Sequence, residues 1–238
     1  MANSATNGSR VGSLPWAVVL DMDGVIVDTE PLYIRIDAIV CREHGVHVDE
    51  QEFEPHVGQR AREMWAELRE RFGLAASVDE LLARSVALHD EALEAGDVPP
   101  PVPGVLELVG QLHRRRIPVA VASSTPAAAI DRVLDRVGMR DLIAARIGGD
   151  QVVHAKPDPE IYLQTADALG LPPSACVAIE DSVPGVAAAR AAGMACVGLQ
   201  NPHSGSQDLS HATVVVDSLH GLDIERLAGL VPRGGSAG

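Results

Sequence analysis

Apolar positions along the chain follow two rhythms, and the alternation between them lays out the fold. Ala17-Val18-Val19-Leu20 is an unbroken apolar run that stops at Asp21-Met22-Asp23-Gly24. A run without polar alternation predicts a strand buried on both faces. Ile117–Ala122, Leu142–Ile147, Ala175–Ile179, Ala195–Leu199 and Thr213–Val216 read as further short strands. Between and after them lie stretches of helical character: Val105–Arg115, Ala127–Val137, Asp158–Leu169, Ser182–Ala192 and Leu222–Leu230. Asp158–Leu169 carries its own punctuation, with Asp158 as cap, Pro159 in the first turn and Gly170 as stop. Strands alternating with helices predict the α/β class, a parallel sheet covered on both faces.

The stretch between the first two strands has another character. A helix is predicted from Pro31, capped by Thr29 or Glu30, to His44, where Gly45 stops it. Val46–Gln59 is irregular and polar, and two helices follow, Ala61–Phe72 and Ser77–Ala95. Ser77 with Glu80 three residues on is a capping-box pattern. This region lacks a strand pattern, and Val98-Pro99-Pro100-Pro101-Val102-Pro103-Gly104 closes it with a stiff extended linker. The expected division is a core of residues 14–32 and 104–231, a helical insertion of 33–103, and frayed ends at 1–13 and 232–238.

Composition narrows the partners. With 238 residues, 46% of them hydrophobic but only 3% aromatic, the core must be built from Ala, Val, Leu and Ile. A net charge of −14 disfavours nucleic acid and anionic membrane, so any anion must be held by a local site. Cys41, Cys176 and Cys196 are far apart without metal-ligand spacing, as befits small core residues in a reducing compartment. No segment has signal-peptide or transmembrane character. The expectation is a soluble cytoplasmic protein, monomer or weak dimer. Of the 19 Lys plus Arg, one is a lysine, Lys156. Where arginine serves every generic role, the surviving lysine points to a task needing a compact ammonium.

The candidate chemistry collects at strand ends. The first strand delivers Asp21 and Asp23, which point to one side of an extended chain. The second delivers Ser123 and Ser124 with a helix N-terminus behind them, the fourth delivers Glu180 and Asp181, and Lys156 precedes a helix. In a parallel sheet these ends share one edge. Each signal has a plainer reading: a lone Asp-x-Asp is usually a turn, the serines could be helix caps, and an acid before a helix is favoured by about 0.3–1 kcal/mol. Together they suit phosphoryl transfer. Asp21 is the candidate nucleophile and Asp23 the candidate acid and base. Mg²⁺ would be held by Asp21, Asp181 and the backbone carbonyl of Asp23, with Glu180 supporting. Ser123, the Ser124 backbone N–H, Gly24 and Lys156 are the candidate phosphate-binding groups. The nine histidines show no metal-ligand spacing, so solvent or core is the default for each.

Asp21-Met22-Asp23-Gly24-Val25, Ser123, Lys156-Pro157 and Glu180-Asp181-Ser182 with Gly185, in that order, resemble the motifs of the haloacid dehalogenase superfamily. The likeness is to its phosphatase and phosphomutase branch and covers nearly the whole chain. It implies a Rossmann-like parallel-sheet core with an inserted all-α cap, a magnesium-dependent aspartyl-phosphate mechanism, and a small phosphorylated metabolite of the sugar phosphate or phosphoglycolate type. Caps of this family often contact substrate near Arg60, which makes Arg60 a candidate substrate contact. Dehalogenases of the superfamily lack the second aspartate, present here as Asp23. Phosphonatases use a cap lysine, whereas Lys156 lies in the core. β-Phosphoglucomutases carry a histidine and a lysine where this chain has Tyr33 and Pro126, so the mutase is the enzymatic alternative to the hydrolase. A phospho-accepting receiver module is the non-enzymatic alternative, disfavoured by length, by the insertion and by Asp23.

Overall fold

The computed structural model describes residues 16–56 and 61–232. A six-stranded parallel sheet forms the centre, with β1 (Ala17–Leu20), β2 (Val119–Ser123), β3 (Ala145–Gly148), β4 (Cys176–Glu180), β5 (Ala195–Leu199) and β6 (Val214–Val216) in the order β3-β2-β1-β4-β5-β6. The chain steps outward from β1 to β3, then returns to lay β4 on the other side of β1. That reversal leaves a crevice at the carboxyl ends of β1, β2 and β4. Leu20 is registered with Val121 on one side and with Ile179 on the other. The residues that follow these strands are thereby set side by side.

The all-apolar reading of β1 holds because both faces are covered. Val18 and Leu20 pack with α4 (Val105–Arg114), α5 (Ala127–Arg136) and α8 (Ile224–Ala228). Ala17 and Val19 pack with α6 (Glu160–Ala168) and α7 (Val183–Ala191). All four residues are fully buried. Burying a side chain of Val or Leu size stabilises by about 1.5–3 kcal/mol, so this strand is a main anchor of the sheet.

Between β1 and β2 stand α1 (Glu30–Glu43), two short 3₁₀ turns, α2 (Ala61–Phe72) and α3 (Val78–Glu94). Val40, Cys41, Phe53, Trp65, Leu68 and Leu81 give this region its own buried cluster. Leu32 and Ile36 at the start of α1 belong instead to the core below. The outgoing and returning chains pair: Asp28 N–H donates to the Pro100 carbonyl (3.0 Å) and Val102 N–H to the Ile26 carbonyl (2.9 Å). The expected capping box on α3 is present, with the Glu80 N–H donating to Ser77 Oγ at 3.2 Å and the Ser77 N–H to Glu80 Oε2 at 2.8 Å.

Several boundaries differ from expectation. β2 starts at Val119 because Pro118, which has no N–H to give a ladder, precedes it. β3 starts at Ala145 because Arg140–Leu142 forms a 3₁₀ turn. α6 starts at Glu160, and Asp158 Oδ1 accepts the Glu160 N–H at 3.0 Å from the turn before it. Thr29 stands at the N-cap of α1 but makes no side-chain capping bond. Among the described residues no helix is long and apolar enough to cross a membrane.

Candidate active site

Lys156 is the hub. Its loop is held by Glu160, whose carboxylate accepts the Val153 and His154 N–H groups at 3.0 and 2.9 Å. The ammonium is buried and donates to Asp21 Oδ1 (2.7 Å), Glu180 Oε1 (2.7 Å) and the Ala122 carbonyl (3.0 Å). These three acceptors follow or end β1, β4 and β2, so one ammonium ties three neighbouring strand ends together. Burial opposes its charge, but Asp21 and Glu180 outweigh burial and hold the ammonium above the usual lysine value. Glu180 also accepts the Tyr162 hydroxyl (2.6 Å) and Ser182 Oγ (3.0 Å). Gly185 is required at its place, since a Cβ there would lie 1.9 Å from Glu180 Oε1.

Asp181 follows β4 and faces Gly24. Gly24 has φ +72°, and a Cβ on it would lie 1.9 Å from Asp181 Oδ2, so glycine is needed twice over. Asn201 Nδ2 pins this turn by donating to the Gly24 carbonyl at 2.9 Å, and Ser204 Oγ donates to Asp181. Asp21, Glu180 and Asp181 each offer a carboxylate oxygen within 4.8 Å of the others. Burial, partly offset by Lys156, pushes the Asp21 carboxyl well above its ordinary value. Burial and then Glu180 push Asp181 up to about 7. Three buried carboxyls against one ammonium leave negative charge uncompensated, and a hard divalent cation with oxygen preference fits that donor set.

Asp23 is bonded at the end of β2. Its Oδ2 accepts the Thr125 hydroxyl at 3.0 Å and, at a long 3.4 Å, Ser123 Oγ. Its Oδ1 is buried and has no hydrogen-bond partner among the described residues. Asp23 lines both a cavity of about 240 Å³ shared with Gly24 and Asp181 and one of about 440 Å³ roofed by the insertion. A buried, unpartnered carboxylate oxygen between an acidic cluster and a cavity is placed to exchange a proton with a bound group. A larger cavity of about 840 Å³ between α1 and Pro202–Gly205 contains none of these acids and no lysine.

Asp21, Asp23, Gly24, Ser123, Lys156, Glu180 and Asp181 therefore converge on one crevice. Ser123 is fully buried and accepts the Thr125 N–H at 3.1 Å. Ser124 is exposed and lines the 440 Å³ cavity. The helix N-terminus expected behind them is not free, because Asp150 Oδ1 accepts the Ala127 N–H at 2.8 Å. Within the metal cluster the side chain beside Asp21 and Asp181 is that of Glu180, while Asp23 turns toward Thr125. Arg60 lies outside the described residues. Thr125, Tyr162, Asn201 and Ser204 escape sequence reasoning. Thr125 had a signal, since it continues the strand end that delivers the serines. His89, whose default was solvent or core, lines the cavity.

The model of the haloacid dehalogenase-like hydrolases matches residues 17–193, which includes every strand end described above except that of β6 and β5. The chain belongs to the haloacid dehalogenase-like hydrolases. It is 33% identical to validoxylamine A 7'-phosphate phosphatase of Streptomyces hygroscopicus subsp. limoneus, over 84% of this chain and 92% of that one. It is 31% identical to hexitol phosphatase B of Escherichia coli K12, over 79% and 85%. The crystal structure of β-phosphoglucomutase from Clostridium difficile superimposes with a TM-score of 0.69 at 25% identity, covering 92% of this chain and 97% of that one. The α/β architecture read from the hydrophobic pattern is thus that of the family.

Proposed function

We propose that this hydrolase is a magnesium-dependent phosphomonoesterase acting on a phosphorylated sugar or polyol through an aspartyl-phosphate at Asp21. The observation that carries the reading is the division of labour between the two aspartates: Asp21 bonds to Lys156 beside Glu180 and Asp181, and Asp23 lines the cavity with a free buried oxygen. Similarity to a validoxylamine A 7'-phosphate phosphatase, a hexitol phosphatase and a phosphatase of phosphorylated carbohydrates supports the substrate class. Residues 33–103 act as a cap over the core, and the 440 Å³ cavity at Asp23 is the space between them. The three buried free cysteines suit a reducing cytoplasm.

Asp21 attacks phosphorus, forming a P–O bond as the ester P–O bond breaks, and Asp23 gives its proton to the departing alkoxide. Asp23, now a base, takes a proton from water as that water attacks the acyl phosphate, and Asp21 is released as carboxylate. Lys156 fixes the orientation of Asp21, and Thr125 that of Asp23. Asp21 and Asp181, with Glu180 in support, would hold magnesium, which supplies charge neutralisation for the anionic phosphoryl group.

A mutase reading is favoured by the likeness to the solved β-phosphoglucomutase. Tyr33 and Pro126, at the positions where mutases carry histidine and lysine, both line the cavity and supply neither function. The test is a panel of sugar and polyol phosphates with magnesium, scored for phosphate release. Release that stops with EDTA supports the hydrolase. Conversion of hexose phosphate into its isomer without release would replace it with the mutase.

A further inference from the structure

The wall of the 440 Å³ cavity facing Asp23 is built by α1 and α3, and it carries polar groups that the hydrolytic steps do not employ. Asp37 on α1 is only 6% exposed and accepts Ser85 Oγ of α3 at 2.6 Å. His89, one turn further along α3, is also 6% exposed. Its ring stacks on Tyr33, with centroids 4.5 Å apart and planes at 12°. The stack fixes the ring, yet His89 Nε2 is buried without a hydrogen-bond partner among the described residues. Buried polar atoms are almost always paired, so an oriented orphan nitrogen on a cavity wall marks a place for a ligand hydroxyl or amine.

The charge of the cavity limits what that ligand can be. Asp23, Glu30, Asp37 and Asp90 line it, and the described lining residues include no lysine or arginine. The acids already disfavour one another's charge. Glu30 is pushed up to about 7 by burial and then by Asp37, Asp28 and Asp23, and Asp37 up to about 7 by burial. A second anion on the leaving group would meet unscreened repulsion here, whereas hydroxyls would find acceptors and an ammonium would find attraction.

We propose that Asp37, Ser85 and His89 form the recognition subsite for the leaving group, and that this subsite selects a neutral polyol or an amino-polyol over a group bearing a second anion. The inference rests on the phosphatase reading above and specifies which esters that site accepts.

The experiment measures phosphate release by the full-length magnesium-loaded enzyme. The substrates are a hexitol phosphate, a hexosamine phosphate, phosphogluconate and a hexose bisphosphate, with p-nitrophenyl phosphate as an ester lacking hydroxyls. For the wild type, kcat/KM is expected to be about tenfold to a hundredfold higher for the first two than for the two carrying a second anion. His89→Phe keeps a ring against Tyr33 but removes the nitrogen. It should lower kcat/KM for the hexitol phosphate about tenfold or more, with p-nitrophenyl phosphate within about threefold of wild type. Asp37→Asn should narrow the discrimination against phosphogluconate. Equal rates for neutral and anionic esters in the wild type would overturn the proposal without any variant. So would a His89→Phe loss that is the same for both ester types, or selectivity that survives His89→Phe and Asp37→Asn but vanishes in Arg60→Ala. Failure of every ester, the aryl one included, would instead strike the phosphatase reading.

Discussion

Replacing Lys156 by methionine removes the one cation that the described residues bring into hydrogen-bond contact with Asp21 and Glu180, while keeping most of the side-chain volume. The ammonium donates three hydrogen bonds, to Asp21, Glu180 and the Ala122 carbonyl, and both carboxylates are buried. Removing one partner of a buried ion pair leaves an uncompensated charge and costs about 3–5 kcal/mol. In a chain of this size each kcal/mol moves the melting midpoint by about 2–4 °C, so a drop of about 6–20 °C is expected. The loss should also depend on pH. Lys156 holds Asp21 down against burial, so its removal lets the folded-state pKa of Asp21 rise further above the unfolded value. The folded variant then binds more protons than its unfolded chain. Relative to wild type, its penalty is full above the variant's raised pKa and fades as pH falls through the wild type's own, which already lies above the ordinary carboxylate range. Thermal and urea unfolding of both proteins in EDTA, from mildly acidic to mildly alkaline pH, measures this. A loss under about 1 kcal/mol, or one that does not shrink with acidification, would refute the claim that Lys156 neutralises buried carboxylates.

Asp23→Asn should lower kcat about a hundredfold to ten-thousandfold with the melting midpoint nearly unchanged, because its Oδ1 makes no bond to lose; parallel loss of fold and turnover would mark Asp23 as structural. Gly24→Ala adds a left-handed backbone cost of about 1–2 kcal/mol and displaces Asp181, so the magnesium dependence measured by titration should weaken along with stability; unchanged magnesium dependence would argue against Asp181 as a ligand. Asp37→Asn keeps an acceptor for Ser85 but removes a carboxyl whose pKa is raised from 3.8 to about 7, a perturbation worth roughly 4 kcal/mol at most. Wild type loses stability as pH rises from about 4 through about 7, so the asparagine variant should gain on it across that window and match it in acid; urea unfolding showing no gain above neutrality would contradict this.

The opening apolar run and the residues after it were legible because they form a local pattern with a topological consequence: a buried parallel strand must end where its neighbours end. Asp21, Asp23, Glu180 and Asp181 followed from that argument, and Lys156 from its isolation in an arginine-rich chain. The helices α1 to α3 were legible from their helical rhythm, and the return of the chain to the sheet from the proline run. The groups that could not be read are joined through space by loops without periodicity. Asn201 meets Gly24 across 177 positions, and Asp150 reaches the N-terminus of α5 from the far side of β3. Asp37, Ser85 and His89 were hidden for another reason. On amphipathic helices a single buried polar residue looks like any exposed one until the face that meets the core is known, and that face is set by tertiary packing.

Trapping the phosphoenzyme tests the central claim most directly. Full-length enzyme with magnesium and radiolabelled p-nitrophenyl phosphate, whose leaving group departs without a proton from Asp23, is quenched in acid within the first turnover, in wild type and in Asp23→Asn, where release of the acyl phosphate is slowed. The account predicts a hydroxylamine-labile phosphoryl group on the peptide containing Asp21, accumulating in Asp23→Asn and absent from Asp21→Asn. Normal turnover by Asp21→Asn, or label on any other residue, would contradict it.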